Sequence, residues 1–188
     1  MGWNQSDDLV VGGNGQVYAA PLGTALPTTT AGALNAAFLG LGYLSEDGVN
    51  FSVARETQDF PAWQAFDPVR TAITGRTVQA TFSLQQWNED TVPLAFGGGA
   101  ITGTTPNYKY ELPDPEQGLD ERSVVIDIQD GSENMRFVLP RGIVVESVET
   151  QFSRGATAML PITFKLLKPS IGKIAAIYSD SDAFAAGS

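Results

Sequence analysis

Carboxylates are the only abundant side chains in this sequence suited to acid–base work, because its 188 residues include no histidine and no cysteine. Glu146 with Glu149 or Asp127 is the pair to consider for glycoside hydrolysis, where one carboxylic acid protonates the leaving oxygen and a carboxylate attacks or activates water. No other catalytic signature accompanies them, and carboxylate pairs are common on any acidic surface. The missing imidazoles and thiols also remove disulfides, ordinary zinc sites, cysteine nucleophiles and His-dependent triads. The residues therefore describe a protein that is not an enzyme and calls for no cofactor or metal.

Other constellations resolve in the same way. Gly12-Gly13-Asn14-Gly15 and Gly97-Gly98-Gly99 lack the Gly-Lys-Ser/Thr that completes a phosphate loop, so they read as linker and turn. Asp114, Glu116, Asp120 and Glu121 lack the ligand order and central glycine of a calcium loop, and read as a solvated acidic segment. Trp63 and Trp87 could stack on sugars or bases. Trp87, beside a strand end, is expected in the core; Trp63, in a long connection, is expected at an interface. The sequons at Asn4 and Asn50 carry no meaning for a protein that stays in a cytoplasm.

Eleven basic against 21 acidic residues give a charge of −10, which repels nucleic acid and argues against tight DNA binding. The most apolar window, residues 31–44, is too short and too broken to span a bilayer, so no membrane partner is expected. Missing cysteines fit a reducing compartment, and residues 1–6 show no secretory n-region, so synthesis and assembly in a cytoplasm are expected.

The elements that must position these residues are mainly strands. Residues 1–15 are glycine-rich and polar and read as an N-terminal arm; a single domain follows over 16–179, and 180–188 form a small-residue tail. Residues 16–20 suggest a short strand, 21–30 a linker, and 33–38 a helical turn, with a brief strand over 42–44 as the alternative. Val49, Phe51 and Val53 alternate with polar residues as a half-buried strand should. From Arg76 to Gln86 the alternation is clearer, Val78, Ala80, Phe82 and Leu84 pointing one way and Thr77, Gln79, Thr81, Ser83 and Gln85 the other. Between these two strands, residues 56–75 read as a long loop containing Pro61, Trp63, Phe66 and Pro68. A solvated loop gains nothing by exposing two large aromatics, whereas a loop that docks on a neighbour does.

Residues 88–97 read as a short helix capped by Asn88 and closed by Gly97, with Pro93 shifting its start toward Thr91. Further strands are expected over 108–112, 123–130, 133–139, 143–152, 157–167 and 174–178, with the pair around Asp130-Gly131-Ser132 forming a hairpin and Pro161 marking an edge or bulge.

Three phrases in order then suggest a family: Val17-Tyr18-Ala19-Ala20-Pro21-Leu22-Gly23-Thr24, Leu41-Gly42-Tyr43-Leu44-Ser45-Glu46-Asp47-Gly48-Val49, and Gln86-Trp87-Asn88-Glu89-Asp90-Thr91. Together with Arg55-Glu56-Thr57, Trp63-Gln64 and Asp67-Pro68-Val69-Arg70, they resemble the major tail proteins of siphophages, long non-contractile-tailed phages, particularly those of actinobacterial hosts. The likeness runs from about Val17 to Gly99, and Pro93 departs from the family's short helix. It implies a mainly β tail-tube fold, a β-sandwich or barrel with one short flanking helix, a long inter-strand loop and extended terminal arms. It further implies hexameric rings stacked into a tube in the virion tail, with tape-measure, tail-tip and tail-terminator proteins as partners and transient passage of double-stranded DNA. The inner tube of a contractile injection system and a carbohydrate-binding or decoration β-sandwich are the alternatives.

Under this resemblance the neutral polar strand faces, carrying Asn50, Ser52, Thr77, Gln79, Thr81, Ser83 and Gln85, are the candidates for the lumen, where lysines would hold phosphates and slow ejection. The loop over 56–75 and the terminal arms are the candidates for contacts between rings, with Trp63 and Phe66 as anchors and Asp67 and Arg70 beside them.

Overall fold

A computed structural model describes residues 9–114, 116, 118–146 and 148–184. In chain order the elements are β1 (Asn14–Pro21), β2 (Leu39–Gly40), β3 (Leu44–Ala62), β4 (Ala65–Leu84), α1 (Thr91–Ala95), β5 (Ile101–Thr104), β6 (Asn107–Tyr110), β7 (Arg122–Asp130), β8 (Glu133–Val144), β9 (Leu160–Leu166) and β10 (Ala176–Ser179). A 3-10 turn at Asp182–Phe184 follows. The strands pair in the order β2-β1-β7-β8-β9-β4-β3, with β10 added to β8, while β5 and β6 form a separate hairpin.

This sheet folds over itself because β8 changes partners along its length. On the side away from β7 its first half pairs with β10 through Met135–Val138, and its second half pairs with β9 through Gly142–Val144. The register shift between Arg122 and Val124 of β7 marks the corner. Gly142 is required there, since a Cβ would come within 2.4 Å of the Phe164 ring and 2.7 Å of the Lys165 carbonyl. The result is a two-layer β-sandwich, the mainly β architecture that the alternating strands imply.

The core follows from strand periodicity. One layer contributes Val17, Val124, Ile126 and Leu139, the other Val78, Ala80, Phe82, Leu84, Leu160, Ile162, Phe164 and Leu166, all in one buried cluster. Val92, Leu94 and Ala95 of α1 join it. The N-cap position falls at Asp90, which makes no side-chain cap bond, and the expected cap Asn88 instead braces the turn ahead of the helix: its Oδ1 accepts from the backbone of Asp90 and Thr91 while its own N–H donates to Thr91 Oγ1. Five residues are helical instead of the ten expected over 88–97. Pro93 falls early enough in the helix that its missing N–H is tolerated.

The two layers differ in what covers their outer faces. Behind β1, β7 and β8, the chain from Leu22 to Phe38 packs on a second small cluster of Ala20, Phe38, Val125 and Val138. Arg136 holds it there, with both Asp127 oxygens at 2.6 and 2.8 Å and the carbonyls of Thr29 and Gly32 at 3.0 and 2.8 Å. The expected helical turn over 33–38 is instead a turn closed by Asn35, whose Oδ1 accepts from Ala37 and whose carbonyl accepts from Phe38. Asn35 competes for the backbone in a way that a helix would forbid.

Several boundaries shift. The first strand starts at Asn14, inside the expected arm, because residues 14–21 pair fully with β7. The short strand falls at Leu39–Gly40, and Leu44 opens β3. The strand expected over 108–112 lies at Asn107–Tyr110. The separate strand expected over 143–152 does not form: Ile143 and Val144 finish β8, and among the described residues the rest carries no ladder. Beyond Val144 the chain leaves β8, so Pro161 in β9 has strand pairing only from β4. Residues 1–8 of the N-terminal arm and 185–188 of the tail lie outside the described residues.

Candidate assembly surface

Strands β3 and β4 are far longer than the body they belong to. Their shared ladder runs from Leu44↔Leu84 to Ala62↔Ala65, but β4 is flanked by β9 only between Gln79 and Leu84. Past Ser52 and Gln79 the two strands continue alone as a ribbon roughly 30 Å long, at about 3.3 Å per residue. Residues 56–75 are therefore not a loop, and the only unpaired turn is Trp63-Gln64. The prolines that suggested a loop sit where the ladder is irregular, Pro61 within the shift after Phe60 and Pro68 in the stretch between Ala65 and Arg70. Proline costs a ribbon least where no ladder bond is required.

A two-stranded hairpin has little to hold it in water. This one adds a side-chain bond from Thr71 Oγ1 to Asp59 Oδ1 at 2.6 Å. Its apolar residues gain nothing in the monomer: Trp63 is 96% exposed, Phe66 110%, Ile73 65% and Val69 62%. Asp67 and Arg70 are exposed beside them. The ribbon thus brings Trp63, Phe66, Asp67 and Arg70 together at one end. Val53, expected to be half-buried by alternation, is 49% exposed because its strand has left the body. Sequence reading missed Val53 and Ile73 as surface residues, since alternation reports a face and not whether anything covers it.

Six of the seven polar candidates, Asn50, Ser52, Thr77, Gln79, Thr81 and Ser83, share one face of the β3–β4 ladder. Asn50 lies opposite Thr81 and Ser52 opposite Gln79, and β9 continues the rows with Thr163 and Lys165. Thr77 and Ser83 lie along the same side of β4, with Gln85 just past its end. Over β3 and β4 this outer face is only partly buried or exposed, whereas Thr163 of β9 is buried where the segment after β8 lies against it. It is not uniformly neutral: Lys165 stands beside Gln79, and Glu146 Oε2 accepts from Thr163 Oγ1 at 2.6 Å.

Several of the carboxylates considered for chemistry are engaged elsewhere. Asp127 is held by Arg136, Asp120 by Arg122 at 2.9 Å, and Glu121 by Arg141 at 2.6 Å, which draws the Glu121 carboxyl below its ordinary range. Burial, followed by the nearby Asp127 charge, pushes the Tyr18 hydroxyl up. Trp87 is not a core residue; it is 40% exposed, with Nε1 donating to the Ala158 carbonyl and its ring 5.4 Å from Phe152. Its indole N–H needs a partner that only the surface loop offers.

Val11, ahead of β1, and Asp180, just past β10, both bond to residues flanking the turn between β7 and β8. The Val11 N–H donates to Asp130 Oδ2 at 2.6 Å. Asp180 accepts from the Asn134 backbone at 2.5 Å and from its side chain at 2.9 Å, bonds that hold the Asp180 carboxyl below its ordinary range.

The whole chain exposes 12951 Å², whereas a compact monomer of this mass would expose about 8,700 Å². The bare apolar residues of the ribbon are part of that surface. A comparison with curated proteins finds no match. A model of the family described as phage tail tube protein matches residues 1–186, nearly the entire chain, and so the protein with this projecting ribbon belongs to the phage tail tube protein family.

Proposed function

We propose that this structural tail protein self-assembles into stacked hexameric rings whose bore conducts double-stranded phage DNA in a long non-contractile tail, assembled in the host cytoplasm. The family supports a structural tail tube role. The observation that carries the finer reading is the ribbon of β3 and β4, whose exposed Trp63 and Phe66 have no partner surface in the monomer. Head-to-tail contacts of this kind generate open, repeating assemblies. Trp63 and Phe66 serve as anchors between rings, with Asp67 and Arg70 at their rim.

The channel face in this reading is the outer face of β3, β4 and β9, presenting Asn50, Ser52, Thr77, Gln79, Thr81, Ser83 and Gln85. Hydroxyls and amides keep it wet without holding phosphates, and the single Lys165 leaves it far from a DNA-binding stripe. Tape-measure, tail-tip and tail-terminator proteins are the further partners. A sugar site at Trp63 finds no support, because an indole exposed on nearly all sides has no wall to close on a ligand.

Electron microscopy of the purified protein tests the reading. Stacked six-fold rings or tubes of uniform bore are expected. A protein that stays monomeric in microscopy and sedimentation at high concentration would sink it.

A further inference from the structure

The ribbon sets two arginines directly opposite each other, Arg55 and Arg76, both exposed. Like charges in that position repel and weaken a hairpin. Four other cations have carboxylates: Lys109 with Glu111, Arg122 with Asp120, Arg136 with Asp127 and Arg141 with Glu121. Among the described residues Arg55 and Arg76 have none. Their neighbours Glu56 and Gly75 are paired on the opposite face, so Glu56 does not answer them. On the arginines' own face lie Val53 on the body side and Ile73 on the tip side, both exposed. A cationic fork framed by apolar residues is the composition of a protein contact.

A matching acidic feature lies on the same strand. Between Leu44↔Leu84 and Val49↔Phe82 the register slips, so residues 45–48 bulge from the ladder. Glu46 and Asp47 are exposed on this bulge, and β3 is an edge strand there. Neither has a cation partner among the described residues. Asp47 and Arg55 are eight residues apart along the strand, roughly 25 Å at about 3.3 Å per residue, too far for one chain to join them.

We propose that Arg55 and Arg76 form a fork that receives the Glu46 and Asp47 carboxylates of a second copy of this chain, an inference that rests on the self-assembly reading above. Two guanidinium groups side by side can engage carboxylates by paired N–H···O bonds, which turns the repulsion between them into attraction for the partner. Each copy carries one fork and one acidic bulge, so the contact is head-to-tail and repeats around or along an assembly. Duplex DNA is the poorer occupant. Glu56, Asp59 and Asp67 are interspersed on the same ribbon, and the chain carries a charge of −10.

The test uses the full chain and two charge-reversed forms, Arg55→Glu with Arg76→Glu, and Glu46→Arg with Asp47→Arg. All four residues are exposed, so both forms should melt like the parent. Sedimentation at low ionic strength should show each alone losing assembled material by about tenfold or more, a contact-sized effect. Mixing the two forms, or combining all four changes in one chain, should restore assembly. Arg55→Gln with Arg76→Gln, which removes the repulsion without reversing it, should reduce assembly while raising the melting temperature of the monomer. The fork is overturned if the reversed forms assemble like the parent, or if neither mixing nor the fourfold change restores them. Loss of duplex DNA retention with assembly intact also overturns it. If the parent chain itself does not assemble, the self-assembly reading fails first; if it assembles and the variants do too, only the fork fails.

Discussion

Strands β3 and β4 pass through two environments, and the contrast between them explains how the molecule is built. Inside the sandwich, β4 buries Val78, Ala80, Phe82 and Leu84 at no more than 4% exposure. Beyond the last pairing with β9, the same two strands carry Trp63, Phe66, Val69 and Ile73 into solvent. The β3–β4 ladder extends through both regions, interrupted by register shifts at Glu56/Thr57 and Phe60/Ala62, so pairing alone does not distinguish a stable element from an unfinished one. What differs is the second layer. The body supplies its own; the ribbon has none among the described residues.

The comparison predicts that the two regions respond oppositely to truncation. Phe164→Ala removes a fully buried ring at the centre of the sandwich and should cost about 3–5 kcal/mol of monomer stability, read by urea unfolding. An unchanged unfolding midpoint would mean that the core is not where the packing places it. Gly142→Ala drives a methyl into the Phe164 ring and the Lys165 carbonyl, and should cost about 1–3 kcal/mol in the same assay. A loss below measurement would show that β8 can open its corner freely.

Trp63→Ala with Phe66→Ala should behave the other way. Both side chains are exposed, so monomer stability should move by no more than about 0.5 kcal/mol while tubes fail to form in micrographs. Normal tube yield would remove the ribbon tip from the assembly surface.

The smallest effect is expected at the chain ends. The bonds from Asn134 lower the Asp180 carboxyl in the folded state, so the ionised form contributes stability above the unfolded value. That contribution is lost as pH falls through the depressed folded value. Asp180→Asn should therefore lower stability slightly at neutral pH and flatten the acid limb, the two proteins converging at strongly acidic pH, as followed by thermal melting across that range. An identical acid limb in both proteins would show that the fastening of β10 does not depend on this carboxylate.

Much of the body could be read directly from residue order. The alternation of Val78 through Leu84 against Thr77 through Gln85 gave β4 its faces, and Asp130-Gly131-Ser132 announced the turn between β7 and β8. Leu160, Ile162, Phe164 and Leu166 are all buried, as their spacing requires. The ribbon resisted the same reading. Pro61, Pro68 and two aromatics within residues 56–75 suggest a loop when no covering layer is known, and only the pairing register shows that the prolines fall where ladder bonds are absent. Trp63 and Phe66 were legible as residues that a solvated segment would not expose without purpose. Arg55 and Arg76, 21 positions apart by number, gave no sign of facing each other.

The sequence by itself determined that the chain is mainly β, because period-two alternation is a local property of covalent geometry. It also determined that imidazole and thiol chemistry are unavailable, because composition cannot be changed by folding. Only the tertiary structure decided where the strands stop being a body and become an arm. Burial depends on which strand lies alongside, and β9 reaches β4 only as far as Gln79.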